Sequence, residues 1–358
     1  MNILYTETLY NWGGQQNKVI NEMIFARELG HNVMLFCNPN SQISEVAKEK
    51  GFEVLEFKMS KTNYHKSVPR LCKIIKEKNI NLVITNGSTD SWVGAMAGVF
   101  YRNKGVKFAR ERHNQFPIRG VASKFMHKKL FDKIISVSPS VSEYLKDIGV
   151  AEDKIFYMPT TVDFKNLNNS NSTFKQEFNI PKEAITVGMF SALYRKKGVY
   201  EFANSLKKVI NENKNVWGIF GGDIRSDIKE EIYSIFDNSL KNRIIFTGFR
   251  KDIANVIKGI DIFVFPSHTE GLPTALLEAM ALSRPVVAFD IKPMNLLLRE
   301  RGICVDFLDI QKLAEAIILY IKDKHKRDTD GKNAAEFVSQ NYDTQIAKNN
   351  TKIFLERL

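Results

Sequence analysis

Two carboxylates, Glu270 and Glu278, stand eight positions apart in the stretch SHTEGLPTALLEAMALSRPVVAF, Ser267 to Phe289. Between them come Gly271, Leu272 and Pro273, and then strong helix formers. Gly271 and Pro273 permit a tight turn, and a proline near the first helical position sets a helix start close to Pro273. Glu270 then falls in the loop before the helix. Glu278 falls about five residues inside it, roughly 7.5 Å along the axis at the standard rise. A helix start offers free backbone N–H groups and the positive end of the dipole, a seat for phosphate. Carboxylates only accept hydrogen bonds, which suits pairs of sugar hydroxyls. One carboxylate beside that seat and another beyond it match a ligand laid out as hexose, diphosphate and ribose. The spacing alone also describes an ordinary helix with Glu270 at its cap and Glu278 in solvent, so the surrounding sequence has to decide.

The elements that must hold these residues follow an alternation of β-rich runs and helical periodicity, the pattern of parallel α/β layers. In the first half the strand candidates are 2–6, 32–37, 52–57, 81–85, 107–111, 133–138 and 154–159. Several are apolar throughout, as strands covered on both faces should be. Residues 163–183, rich in Asn and Ser, read as a linker or exposed loop. The alternation then restarts with 185–190, 216–222, 243–249, 260–266, 285–289 and 302–306, and 309–358 is mostly helical. Two doubly wound domains facing each other across a cleft are expected, with ligands at the carboxyl edges of the sheets.

Composition narrows the class. The chain has 358 residues, 44% apolar and 26% charged, enough for two globular cores. No run of about 18 apolar residues marks a membrane helix. The N-terminus lacks the layout of a signal peptide. Cys37, Cys72 and Cys304 have no metal-ligand or CxxC spacing and read as buried thiols in a reducing compartment, so a cytoplasmic location is expected. The net charge of +12 is uneven. Residues 102–133 hold ten basic side chains against Glu111 and Asp132. A local cluster of this kind points to an anionic partner. Within it, Arg119, Lys124, Lys128, Lys129 and Lys133 interleave with Ile118, Val121, Phe125, Met126, Leu130 and Phe131. That is the pattern of a basic amphipathic segment for an anionic membrane surface or a lipid-linked acceptor. It is equally the pattern of a domain helix with a solvated lysine face. No helix-turn-helix, zinc or aromatic-basic sheet motif supports nucleic-acid binding. NWGGQQNK after the first strand lacks the GxGxxG of a dehydrogenase, and no GxxxxGK[ST] loop occurs.

FPSHTEGLPTALLEAMALSRPVV resembles the donor-site motif of the retaining GT-B glycosyltransferases of the GT4 family. NWGGQQNKVINEMIFARELGHNVMLF, SVSPSVSEYLKDIGVAEDKIFYMPTTVD and RIIFTGFRKDIANVIKGIDIFVFPS are similar to further stretches of that family, so the resemblance covers nearly the whole chain. ITNGSTDSWVGAMAG and FARERHNQFP resemble a bacterial subgroup that builds lipopolysaccharide and other surface glycans. The resemblance implies an acceptor-binding Rossmann-like domain at 1–163, a linker at 164–183 and a nucleotide-sugar-binding domain at 184–340. It implies a last helix at 341–358 that returns to the first domain. It implies that Glu270 contacts donor-sugar hydroxyls and Glu278 the ribose. Gly271, Leu272 and Pro273 would lie near the diphosphate, Gly13 and Gly14 would form the loop over the phosphates, and Lys197 would neutralise the leaving diphosphate. His113 would stand near the transferred sugar, making His113, Lys197 and Glu270 the catalytic set. The donor would be UDP- or GDP-linked, with no metal ion.

The chain departs from the family pattern in three places. The usual Arg five residues before Lys197 is Ala192, and Arg195 is the candidate replacement in donor binding. DIKPMNLLLRE stands where a glycine-glutamate signature is usual, and Gly87 stands where relatives carry His. His268 adjoins the donor stretch, Trp12 adjoins Gly13, and Phe249-Arg250 follows a strand end where it could flank the base. Set against transfer of a sugar to a glycan or lipid-linked acceptor are a binding protein of the same fold without catalysis and a nucleotide-sugar epimerase.

Overall fold

The computed structural model describes residues 1–101, 103–114, 116–168 and 171–358. Arg102 of the basic stretch and Asn169 and Ser170 of the expected linker lie outside the described residues. Two compact units are present, one formed by Met1–Thr161 with Gln345–Leu358 and the other by Val162–Thr344.

In the first unit seven parallel strands form one sheet. They are β1 (Asn2–Glu7), β2 (Asn32–Cys37), β3 (Glu53–Glu56), β4 (Leu82–Thr85), β5 (Lys107–Arg112), β6 (Lys133–Ser136) and β7 (Ile155–Tyr157), in the order β3-β2-β1-β4-β5-β6-β7. Ile3, Leu4 and Tyr5 of β1 and Leu82, Val83 and Ile84 of β4 are all buried, because helices cover both faces. The helix Thr344–Glu356 packs into this unit. Its Phe354 ring lies 5.2 Å from that of Phe156, and Lys348 pairs with Glu28 at 2.7 Å.

The second unit repeats the plan with six parallel strands. They are β8 (Ile185–Phe190), β9 (Val216–Gly221), β10 (Ile244–Gly248), β11 (Ile262–Phe265), β12 (Val286–Phe289) and β13 (Ile303–Val305), in the order β10-β9-β8-β11-β12-β13. The helix Val199–Glu212 buries Val199, Phe202, Ala203, Leu206, Val209 and Ile210, one face at helical spacing. In each sheet the strand order reverses once, between β1 and β4 and between β8 and β11. Loops diverge there at the carboxyl ends of the strands, the place where open α/β sheets bind ligands.

The linker expectation is corrected for its described part. Residues 164–168 and 174–177 are short helices, and Phe174 is fully buried. Lys175 pairs with Asp261 at 2.9 Å, and the Thr173 N–H donates to Asn255 Oδ1. The Asn and Ser content masked two aromatic anchors, Phe174 and Phe178, whose rings lie 4.8 Å apart at helical spacing. Phe174 and these contacts fasten the segment to the second unit, while most of its other described residues stay at the surface.

Candidate active site

In the second unit the site grows from the ends of β8 and β11. After β8 the chain makes a single 3-10 turn, Arg195–Lys197, and enters the helix Val199–Glu212 through Gly198. Gly198 has φ 74°, and a Cβ there would meet the Pro266 carbonyl oxygen at 1.9 Å. Only glycine lets the turn press against the end of β11. The His268 N–H donates to the Lys196 carbonyl at 2.9 Å, which ties the loop after β11 to the same turn. His268 also contacts Glu201 at 3.1 Å and meets Phe307 edge-on, so it braces the loop. These contacts place Lys197 Nζ 2.6 Å from Glu270 Oε1, with both side chains mostly but not wholly covered.

Four residues beyond Glu270 the helix Thr274–Ala281 begins, one position later than Pro273. No side chain caps it and its first turn holds no acidic residue, so its leading N–H groups face the same sheet edge. Gly271, Leu272 and Pro273 are buried and form the floor of the turn. Glu278 is the fifth residue of the helix. Burial alone pushes its carboxyl up to about 8, although part of the residue remains accessible. Among the described residues no hydrogen bond or ion pair engages that carboxyl. The arrangement combines a cation, a carboxylate, an uncapped helix start and a half-covered acceptor that lacks a donor.

In the first unit the corresponding edge carries His113, just past β5. Asn86, just past β4, donates its amide Nδ2 to the Thr6 carbonyl, which leaves Oδ1 to face His113 Nε2 at 3.1 Å. That fixes the proton on Nε2 and a lone pair on Nδ1. Burial, then Lys18, Arg110 and Arg112, push the imidazole down to about 3, so it is neutral at physiological pH. Behind it, Lys18 bridges Glu22 and Glu111, all three buried. Burial and the nearby Glu111 charge push Glu22 up to about 8. Glu7 accepts from the Thr8 and Leu9 N–H groups and from Gln15 and Gln16. It is pushed up to about 7, first by burial and then by Asp90. Gly13 precedes the helix Gly14–Glu28 in extended backbone, and a Cβ there would meet nothing closer than Gln16 Oε1 at 3.4 Å. The fold itself therefore does not demand glycine at 13.

Comparisons with known proteins identify the family and the fold. The family described as Glycosyltransferase Family 4 matches residues 12–166, and the one described as Glycosyl transferases group 1 matches residues 182–323. The chain belongs to these glycosyltransferases. It is 25% identical over 276 residues to UDP-Gal:alpha-D-GlcNAc-diphosphoundecaprenol alpha-1,3-galactosyltransferase of Escherichia coli, covering 72% of this chain and 71% of that one. It is 24% identical over 349 residues to N,N'-diacetylbacillosaminyl-diphospho-undecaprenol alpha-1,3-N-acetylgalactosaminyltransferase of Campylobacter jejuni, covering 88% and 89%. A glycosyltransferase structure from Rickettsia africae superposes with a TM-score of 0.89 at 19% identity, covering 99% and 98% of the two chains. Anabaena HepE in complex with UDP-glucose superposes at 0.87 and 20% identity over the whole of both chains. These structures share the GT-B fold with two parallel-sheet α/β domains.

In this glycosyltransferase, Lys197, Glu270, Gly271, Leu272, Pro273 and Glu278 gather at the carboxyl edge of the second sheet. Arg195 does not join the Lys197–Glu270 contact. Its guanidinium lies 4.6 Å over the Tyr200 ring. Arg250 is held by Glu177 and Asp252, which ties the Phe174–Glu177 helix to the end of β10. Trp12 packs against the core of the first unit.

The basic stretch divides. Arg110 and Arg112 are buried, so they are no part of a surface patch. Residues 121–125 form a helix that continues as a π-helical turn, Met126–Leu130, anchored by Met126, Phe131 and Ile118. Lys128 lies against Gly149. Arg119, Lys124 and Lys129 are exposed beside Phe116, Val121 and Phe125, which are 53, 86 and 54% exposed. No helix of the described residues is long and apolar enough to cross a membrane. Reading by motif passed over Asn86, Lys18, Glu22 and Asp90. Their only signal was a position next to a strand end or inside the helix after the glycines.

Proposed function

We propose that this glycosyltransferase moves a sugar from a UDP- or GDP-linked donor to a lipid-linked glycan acceptor, with retention of anomeric configuration and without a metal ion. The observation that carries the reading is the Lys197–Glu270 contact beside the uncapped start of the helix Thr274–Ala281, with Glu278 lacking a donor farther in. As the donor's anomeric C–O bond breaks, the sugar gains oxocarbenium character and negative charge builds on the leaving diphosphate. Lys197 and the leading helix N–H groups would stabilise that charge where it develops. Glu270 would take sugar hydroxyls and Glu278 the ribose hydroxyls. The acceptor hydroxyl oxygen forms the new bond to the anomeric carbon on the face the diphosphate leaves, and its proton passes to a leaving phosphate oxygen. His113, neutral with a free Nδ1, suits acceptance of a sugar hydroxyl rather than donation of a charge.

Relatives named for diphosphoundecaprenol-linked acceptors support the acceptor class. The HepE complex with UDP-glucose supports a UDP-linked donor. The exposed Val121 and Phe125 beside Lys124 support docking on the inner face of an anionic membrane. The deciding experiment incubates the purified chain with a panel of UDP- and GDP-sugars, with and without a prenyl-diphosphate glycan, in the presence of EDTA. Acceptor-dependent release of nucleoside diphosphate is expected, with the donor's anomeric configuration kept in the product by proton NMR coupling. An inverted product removes retention, and release that ignores the acceptor removes the transfer itself.

A further inference from the structure

We propose that Arg110, Arg112 and His127 form a seat for a phosphate-type anion, specifically a diphosphate ester, at the carboxyl edge of β5 in the first unit. Alternate residues of a strand share a face. Arg110 and Arg112 therefore project to one side of the sheet, while Glu111 projects to the other and bonds Lys18. On the arginine side the turn Met126–Leu130 supplies His127, whose ring lies in the field of both guanidinium groups. The three residues are only 5, 9 and 2% exposed. Each keeps a polar atom that no hydrogen bond reaches, namely Arg110 Nε, Arg112 Nε and His127 Nε2.

No carboxylate neutralises the two arginines. Asp90 acts on Arg110 through charge, but its oxygens are taken by the Thr6 and Thr8 hydroxyls and the Asn86 and Gly87 N–H groups. The Arg112 side chain donates to the Phe116 carbonyl, and among the described residues the Arg110 side chain makes no hydrogen bond or ion pair. Two buried guanidinium groups without a paired anion carry a desolvation cost. A diphosphate would satisfy them with charge-assisted, bidentate hydrogen bonds. His127 Nδ1 donates to the Ser123 carbonyl at 2.7 Å, which leaves Nε2 to accept from a P–OH or to take up a proton beside the anion. Ser136, the register partner of Arg112 on β6, leads within three residues into the helix Pro139–Asp147. That helix start opens at the same sheet edge and adds a positive dipole end.

The bearer of the diphosphate rests on the lipid-linked acceptor proposed above; the anion seat itself does not. The test uses the full chain carrying Lys197→Ala, so that the second unit contributes little to the response. Pyrophosphate and farnesyl diphosphate are titrated by calorimetry and thermal shift. UDP binding is measured in parallel with Lys197 intact. A midpoint rise of several degrees with millimolar anion is expected. Adding Arg110→Met and Arg112→Met should weaken anion binding at least tenfold while leaving UDP affinity within twofold. A stronger response to farnesyl diphosphate than to pyrophosphate assigns the seat to a lipid-linked group, and equal responses assign it to the diphosphate alone. His127→Gln, a milder change that keeps the fold, should weaken anion binding at least threefold. No anion response in the parent, or one that survives all three substitutions, overturns the proposal. Failure of UDP to bind would count against the donor reading and leave this one standing.

Discussion

Lys197 Nζ lies 2.6 Å from Glu270 Oε1 although 73 residues separate the two in the chain. The contact exists because β8 and β11 are neighbours at the point where the strand order reverses, and each residue follows the end of its strand. The two side chains are only 20% and 10% exposed, so the attraction between them is largely offset by the cost of taking both charges out of water, and the net worth of the pair to stability is small. In the proposed reaction its worth is larger, because Lys197 would stabilise the charge that develops on the leaving group. Lys197→Ala should lower kcat by roughly 10²–10³, the usual effect of removing one such donor. The thermal midpoint should stay within a few degrees. Nucleoside diphosphate release and differential scanning fluorimetry on one preparation measure both. A folded variant with unchanged turnover removes Lys197 from the clamp.

Gly198 carries the geometry of that clamp. A left-handed residue other than glycine costs about 1–2 kcal/mol before any clash. Here a Cβ would also sit 1.9 Å from the Pro266 oxygen, so the turn must move. Gly198→Ala should lower stability by about 2–4 kcal/mol in urea unfolding. It should also reduce turnover of the remaining folded protein about as much as Lys197→Ala does. Loss of stability with full activity per folded molecule would show that the turn is free to shift without consequence for Lys197.

Glu278 gives the opposite sign. Its folded carboxyl sits near 8 against about 4.5 unfolded, raised by burial. Between those values the folded state holds more protons than the unfolded state, so stability falls as pH rises from about 5 to 8. Glu278→Gln removes the ionisation and should raise the thermal midpoint by a few degrees at pH 8, with little change at pH 5. In the proposed donor site it should also weaken nucleoside diphosphate binding about tenfold, because the ribose hydroxyls would lose a charged acceptor. Binding to the parent protein should release protons near pH 7.5, seen as a dependence of calorimetric heat on buffer ionisation enthalpy. A midpoint difference that does not change with pH contradicts this account.

How much of this was legible in the sequence varied with burial. Apolar runs such as IFVF and VVAF announced covered strands, and Gly271-Leu272-Pro273 announced the helix start that follows Glu270, because helix starts and strand ends leave local signals. Pairings between distant residues leave none. Asn86 and His113 meet only because β4 and β5 are neighbours, and nothing in either segment names the other. FARERH misled by composition. Its charges read as surface, but in a strand covered on both faces they turn inward, Glu111 to Lys18 and the arginines to the opposite side. Residues 171–178 misled in the same way, since the two phenylalanines that anchor the segment are outnumbered by Asn, Ser and Thr.

His113 offers a test that is independent of turnover. Its folded value near 3, against about 6.5 unfolded, means that the unfolded state takes up a proton the folded state refuses. That contribution to stability is intact above about pH 6.5 and is lost as pH falls toward 3. The ring resonances should stay those of the neutral Nε2–H form at pH 5 in a nitrogen-resolved NMR titration. Asn86→Asp should raise the value, because a carboxylate replaces the amide oxygen that faces Nε2. A His113 that titrates near 6.5 in the native protein removes both the burial argument and its proposed part as a neutral hydrogen-bonding group.

The segment that holds Arg119, Lys124 and Lys129 presents one set of side chains to the core and another to the surface, and the proposed membrane docking would use the second. Met126, Phe131 and Ile118 face the core, which satisfies the reading as a domain helix. Val121 and Phe125 do not. They stay exposed beside cationic side chains, an arrangement that gains nothing from folding and gains on contact with lipid. Each cation near an anionic bilayer contributes about 1 kcal/mol, and this fades with salt as counter-ions screen it. Sedimentation with anionic vesicles should therefore weaken about tenfold between 0.05 and 0.3 M salt. Lys124→Glu should weaken binding by a similar factor at low salt. Phe125→Ser, which leaves the charges in place, should weaken it at every salt concentration, and the combination should abolish it. The two variants should retain turnover on a short, detergent-soluble acceptor, because neither side chain packs in the core or contributes to the donor site. Equal binding to neutral and anionic vesicles, or no binding to either, leaves the whole segment to its reading as a domain helix.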